Sequence, residues 1–216
     1  MALEKRATVF RPVLDNPYTK VEWPSVSDGE KLTELLCALL EPVGVYNEIK
    51  KKHNQDAKRP KVLESVTIGF NSTTKAVEDQ VDISRKSDKE LERQHDDVSV
   101  VFVPRSDIAP VLSGHFPVLC AVASIRAPVK LIQLPKGSLS RIANAVGDDS
   151  CMGIVGLRTG EGTDIEGFKE LSDLVNQVAQ VNIPWLRSIM STGFKKPNIK
   201  GLKTTAPMKK GGKKKN

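Results

Sequence analysis

The sequence predicts an α/β fold: a three-layer α/β/α sandwich around a mixed sheet of four to five strands. Three observations lead there. Helical and strand-like segments alternate through residues 28–158, the pattern that builds a sheet with helices on both faces. Val98-Ser99-Val100-Val101-Phe102-Val103 is a nearly continuous apolar run, as expected of a strand covered on both sides. The stretch Val66-Thr67-Ile68-Gly69-Phe70-Asn71-Ser72-Thr73-Thr74-Lys75-Ala76-Val77-Glu78 passes from a β-branched run through a glycine into polar capping residues and an amphipathic helix. That order is strand, sharp turn, helix N-terminus.

Taken in order, residues 1–27 read as an extended arm, because Pro12, Pro17 and Pro24 interrupt any helix and Trp23 can pin the arm to the body. Ser27-Asp28-Gly29-Glu30 has the form of a capping box. Leu32, Leu35, Leu36, Leu39 and Leu40 follow at helical spacing, with Pro42 and Gly44 expected to end the helix. Residues 47–61 are polar and rich in lysine, Lys50-Lys51-Lys52 among them. The glycine corner supplies a strand and a helix expected over residues 72–80. Residues 81–97 lack apolar periodicity and read as a solvated, charged insertion loop. The 98–103 strand stops at Pro104. A helix over 117–123 carries proline in its first turn, 129–134 is a third strand, Ser138–Val146 a short helix, and 151–157 a fourth strand. An amphipathic helix over 164–180 buries Ile165, Phe168, Leu171, Leu174, Val175 and Val178, and Ile183-Pro184-Trp185-Leu186 is expected to fold back on the core. The domain thus spans 28–190.

Composition narrows the function. At 216 residues with 39% hydrophobic content, the chain fits one ordinary domain with extensions. No run approaches the roughly 18 apolar residues of a membrane helix. Nor does an apolar region follow the charges of Met1-Ala2-Leu3-Glu4-Lys5-Arg6, so secretion is not expected. Cys37, Cys120 and Cys151 are far apart among apolar neighbours and read as buried thiols in a reducing compartment, with no zinc spacing. The net charge of +7 is a property of the tail: residues 195–216 hold nine lysines and no acid, which leaves the rest at −2. Residues 191–216, with Pro207 and Gly211-Gly212, are expected to be unfolded when free. The tail suits either nuclear import or phosphate neutralisation.

The glycine corner carries the chemistry. Free amide hydrogens and the helix dipole favour an anion there. Asn71 offers both donor and acceptor to a base edge, and Lys75 stands one turn along, placed for a backbone phosphate. The reading is RNA binding. No constellation supports catalysis: His53, His95 and His115 lie in separate contexts, none beside a nucleophile in sequence, and there is no G-x-x-x-x-G-K-[ST] phosphate loop. Gly160-Glu161-Gly162 and Asp148-Asp149 read as ordinary solvated turns. No catalytic residue, metal site or cofactor is expected.

These residues resemble a known family. Gly69-Phe70-Asn71-Ser72-Thr73-Thr74-Lys75-Ala76-Val77-Glu78 resembles the glycine-x-asparagine-glutamate-x-x-lysine signature of the kink-turn-binding ribosomal-protein superfamily. Phe116-Pro117-Val118-Leu119-Cys120 is similar to its leucine-proline-x-leucine-cysteine helix, and Leu139-Ser140-Arg141-Ile142-Ala143-Asn144-Ala145-Val146-Gly147 to its leucine-glycine-x-alanine-x-glycine helix. The matches come in family order over about residues 60–160. Within the superfamily, Asn16-Pro17, Val21-Glu22-Trp23-Pro24, Val66 to Asn71, Ile183-Pro184-Trp185-Leu186 and Ile199-Lys200-Gly201-Leu202-Lys203-Thr204-Thr205 resemble the fungal Pop-three-type protein subunit of ribonuclease P and ribonuclease MRP.

The resemblance implies an RNA face of three segments. Gly69, Phe70, Asn71, Ser72, Thr74 and Lys75 would meet the RNA groove and backbone. Arg105 and Ser106 would border it. Lys136, Gly137 and Leu139 would cover an unstacked nucleotide, with Arg141 reaching a phosphate. It further implies a non-catalytic subunit in the nucleus and nucleolus, serving precursor-tRNA 5′-end and ribosomal-RNA processing. Its partners would be the catalytic RNA and other protein subunits, with no membrane or small-molecule substrate. Where the family has glutamate, this chain has Ser72. Serine is shorter, neutral and offers one hydroxyl in place of two carboxylate oxygens, so that recognition is expected to weaken and RNA affinity to survive without strict kink-turn specificity. Two alternatives stay open: a protein-interaction scaffold with little RNA contact, or a small nucleolar or ribosomal kink-turn-binding protein.

Overall fold

The computed structural model describes residues 6–16, 18, 21–52, 58–85, 97–125, 127–148, 150–158, 168–194 and 196–207. In chain order the elements are β1 (Arg6–Asp15), α1 (Gly29–Lys51), α2 (Val62–Ser65), β2 (Val66–Ile68), α3 (Phe70–Arg85), β3 (Val98–Val103), α4 (Pro110–Ser113), α5 (Phe116–Ala123), β4 (Lys130–Gln133), α6 (Ser138–Val146), β5 (Val155–Arg158), α7 (Phe168–Gln177), α8 (Pro184–Thr192) and β6 (Asn198–Pro207). They fall into two units, one spanning Val21–Ile183 and the other combining Met1–Lys20 with Pro184–Asn216.

The larger unit is the expected α/β structure. Its mixed four-stranded sheet has the order β2-β5-β3-β4. β5 runs antiparallel to both β2 and β3, and β4 runs parallel to β3. Successive side chains of a strand point to opposite faces, which explains why β3 is apolar almost throughout. Val100 and Phe102 join Leu32, Leu36 and Leu40 of α1, Ile142 and Val146 of α6, and Leu171 and Val175 of α7 in one core. Val101 and Val103 lie on the opposite face, where α3 and α5 pack and Val77, Phe116, Cys120 and Ala123 are buried. Burial also pushes the Cys120 thiol up to about 12, so that sulfur behaves as a small apolar group.

Several boundaries differ from the expectation. α1 does not stop at Pro42 but continues to Lys51. Pro42 is exposed, whereas Val43 and Gly44 are buried. At Gly44 the α1 backbone approaches α6 so closely that a Cβ would stand 2.2 Å from the Ala145 carbonyl oxygen. Beyond it, Asn47 Nδ2 donates to the Val146 carbonyl at 2.9 Å and Lys51 Nζ to the Gly147 carbonyl at 2.6 Å. The second half of α1 is thus held by the last carbonyls of α6, and this tertiary anchoring overrides the local break at proline. The capping box does not form: Asp28 stands at the N-cap without a side-chain bond to the helix.

α3 is longer than residues 72–80 because its buried face continues. Thr73, Val77, Gln80 and Val81 are all buried, and Gln80 Oε1 accepts the Val98 amide at 3.0 Å. Residues 81–85 of the supposed insertion therefore belong to the helix, and 86–96 lie outside the described residues. So do 164–167, His53, His95, Asp149 and Gly160-Glu161-Gly162.

In the smaller unit the expectation of an unfolded tail fails over residues 198–207, which form β6. β6 pairs antiparallel with β1, in a register that sets Phe10 against Lys203 and Leu14 against Ile199. Ile199, Leu202, Thr204 and Thr205 supply strand propensity among the lysines. The arm is likewise a strand rather than merely extended. Pro12 is tolerated in it because both strands of a two-stranded sheet are edges. Trp185 of α8 meets Tyr18 edge-on at 5.3 Å, and residues 208–216 lie outside the described residues.

Two expected outcomes follow from the α3 side of the sheet. A Cβ at Gly156 of β5 would stand 2.4 Å from Thr67 Oγ1 and 3.1 Å from Thr73 Cγ2. Gly156→Ala should cost about 1–3 kcal/mol of overpacking. Urea unfolding should show the penalty shrink when Thr67→Ala is added, and a full additive penalty would reject this geometry. The second concerns His115, whose ring lies 4.3 Å from Phe116 and 5.5 Å from Phe70. Burial holds its pKa below the ordinary 6.5, while the Glu78 charge and a hydrogen bond with the Leu112 backbone act the other way. The unfolded chain then binds this proton more readily than the native one, so stability is lost as pH falls through 6.5. The urea midpoint of the native protein should fall more steeply between pH 7.5 and 5.5 than that of His115→Gln; parallel slopes would reject the assignment.

Candidate nucleic-acid interface

Strand direction gathers the three predicted segments. Since β5 opposes both β2 and β3 while β4 follows β3, the C-terminal ends of β2, β3 and β4 share one end of the sheet. Gly69 leaves β2 there, Arg105 and Ser106 leave β3, and Pro135 to Leu139 leave β4. The approach to β5 lies between them. Ile154 accepts the Gly69 amide at 2.8 Å, and Gly153 packs so near Leu139 and Pro104 that a Cβ would stand 3.1 Å from each.

Gly69 has φ +93°, a left-handed turn that side chains rarely adopt, and nothing lies within 4 Å of where its Cβ would be. Glycine is therefore required here by conformation rather than by crowding. Its own amide is used, and its carbonyl receives the first helical bond, from Thr73 at 3.1 Å. Among the described residues no acceptor meets the amides of Phe70, Asn71 and Ser72, which are the open donors of a helix start. No acidic residue stands in that first turn. Asn71, Ser72 and Lys75 are exposed.

Two members of this segment face inward. Phe70 is half-buried, edge-on to His115 and Phe116. The Thr74 hydroxyl is buried, without a hydrogen-bond partner among the described residues. Its position in α3, one turn after Phe70, puts Thr74 on the same face of the helix as that ring.

The other two segments are partly spoken for. The Arg105 guanidinium lies 4.9 Å from the Trp23 ring centroid and donates to Gln133 Oε1 at 3.1 Å. Gln133 Nε2 in turn donates to the Pro24 carbonyl at 2.8 Å. This is how Trp23 is pinned. Ser106 is exposed beside it. Arg141, placed for a phosphate in the sequence reading, pairs with Glu30 of α1 at 2.9 Å and stands 3.9 Å from Glu34. Lys136 and Gly137 are exposed, and Leu139 is half-buried. Asp107 was not anticipated. Its two carboxylate oxygens accept the amides of Gly137, at 2.8 Å, and Leu139, at 3.0 Å. The signal available in sequence was that Gly137, as N-cap of α6, has no side chain to satisfy the helix start, so an acceptor must come from elsewhere. Gly153 was also missed, because its role is to let two loops touch.

Among the described residues, the assembled surface joins one open helix start, the exposed amide side chain of Asn71 and the exposed lysines Lys75 and Lys136, which have no ion-pair partner there. The family model described as RNase P subunit Pop3 matches residues 5–188. A Saccharomyces cerevisiae protein, Ribonucleases P/MRP protein subunit POP3, is 27% identical over 210 residues, covering 95% of this chain and 91% of that relative. With the family model spanning both the β2–α3 corner and the whole four-stranded sheet, the chain belongs to the RNase P subunit Pop3 family.

Proposed function

We propose that this chain is a non-catalytic, RNA-binding protein subunit of the ribonuclease P and ribonuclease MRP ribonucleoproteins. It acts in precursor-tRNA 5′-end and ribosomal-RNA processing, in the nucleus and nucleolus. Its partners are the catalytic RNA and other protein subunits. Family membership and the name of the yeast relative support the subunit role. The observation that carries RNA binding is the acid-free first turn of α3, where the amides of residues 70–72 stand open beside exposed Asn71 and Lys75. Amides and dipole receive phosphate, the Asn71 side chain reaches a base edge, and Lys75 adds the long-range charge. Lys136 supports the same contact from the β4–α6 loop. The resemblance to kink-turn-binding proteins belongs to this proposal, with Ser72 as its departure.

A scaffold role is favoured by one observation. Arg105 and Arg141, half of the four cations expected on this face, are engaged by Trp23, Gln133, Glu30 and Glu34. One double variant separates the readings. Asn71→Ala with Lys75→Ala should weaken binding to the ribonuclease P RNA at least about tenfold near 0.15 M salt, and reduce the salt slope by about 0.7–0.9. Unchanged RNA affinity with unchanged particle assembly would leave the scaffold instead. Ser72 gives a further outcome: without a carboxylate, about 1–3 kcal/mol of base discrimination is missing. The isolated protein should therefore bind a standard kink-turn and its loop-mutated control within about fivefold, and a strong preference in titration would show that another group replaces the missing glutamate.

A further inference from the structure

We infer that Asp107 is the positioning residue for RNA contact by the β4–α6 loop, an inference that rests on the RNA-binding reading above. Asp107 is itself fixed: its amide donates to the Pro104 carbonyl at 2.9 Å, and the neighbouring Arg105 amide to the Val103 carbonyl at 2.8 Å, which closes a turn at the end of β3. From there its carboxylate reaches across with both oxygens, Oδ1 to the Gly137 amide and Oδ2 to the Leu139 amide. Gly137 takes φ +89° with open space where a Cβ would be. The carboxylate clamp on either side of Ser138 holds this left-handed turn, together with the Ser138 hydroxyl, which donates to the Pro135 carbonyl at 2.6 Å. A charged acceptor bonding two backbone amides is a strong form of the interaction, and it satisfies the start of α6.

Two consequences follow for the RNA. The α6 start is closed to phosphate, because a carboxylate already fills it. Lys136, exposed and immediately before the clamped glycine, then becomes the cation this loop presents, with its backbone set by Asp107. The residue acts on RNA through Lys136 and not by touching it.

A double-mutant cycle tests this on the full chain, with ribonuclease P RNA as titrant and urea unfolding run in parallel. Asp107→Ala should weaken binding about three- to tenfold, as Lys136→Ala does. Combined, the two should weaken it no further than Lys136→Ala alone. Combined with Lys75→Ala, the Asp107 effect should multiply in full, since distant independent sites add. A merely structural role would lower affinity equally in both backgrounds and overturn the inference, as would unchanged or tighter binding by Asp107→Ala. Should Asp107→Ala not fold, Asp107→Asn retains one acceptor and should show the same coupling to Lys136 at smaller size; its absence counts against the inference. If the unmodified chain binds no RNA, both readings fall together. If it binds and the cycle is additive, only this one does.

Discussion

A strand of three residues would be a poor foundation for a binding corner, yet β2 holds one because it is fastened to β5 and α3 at once. The Thr67 and Thr73 hydroxyls meet at 3.1 Å in a buried site, and Thr73 also donates to the Thr67 carbonyl at 3.4 Å. Gly156 of β5 lies directly beneath, where any side chain would strike them. The Gly69 amide completes the fastening through Ile154. Satisfied polar groups in a buried site cost little, whereas an unpaired hydroxyl there costs about 1–3 kcal/mol, so the pair fixes one register of helix on sheet. The open amides of α3 are aimed by that register.

How far the sequence revealed this depends on whether the deciding contact is local. β3 was legible because a strand buried on both faces must be apolar at nearly every position. The Gly69 corner was legible because a left-handed turn between strand and helix asks for glycine and leaves polar residues after it. The run of α1 past Pro42 was not, since it depends on Asn47 and Lys51 meeting the carbonyls of α6. The fate of Arg141 was hidden for the same reason: Glu30 lies 111 residues away in sequence. β6 was masked by its lysines, which lower the apparent strand signal although alternate positions suit a ribbon. The pairing that makes it a strand is supplied by β1, from the opposite terminus.

Cations at this sheet end divide by what surrounds them. Arginine, planar and weakly hydrated, is held by an aromatic face at Trp23 or by carboxylates of α1. Both arginines tie elements of the larger unit together, and the Arg141 pair, half-exposed, contributes little more than alignment between α6 and α1. The lysines stay out in solvent. A strongly hydrated ammonium on a flexible stem suits phosphate neutralisation without fixed geometry, the part the lysines take in the proposed RNA-binding role.

Two helix starts meet at this end of the sheet, and they are electrostatic opposites. α6 begins with its Gly137 and Leu139 amides bonded to the protein's own carboxylate from Asp107. α3 begins with three amides open and no acid in its first turn. The same dipole that makes both ends attractive to an anion is therefore spent internally at one and left available at the other. In the proposed role this leaves the α3 start for phosphate, with Lys136 presented by the loop that Asp107 holds.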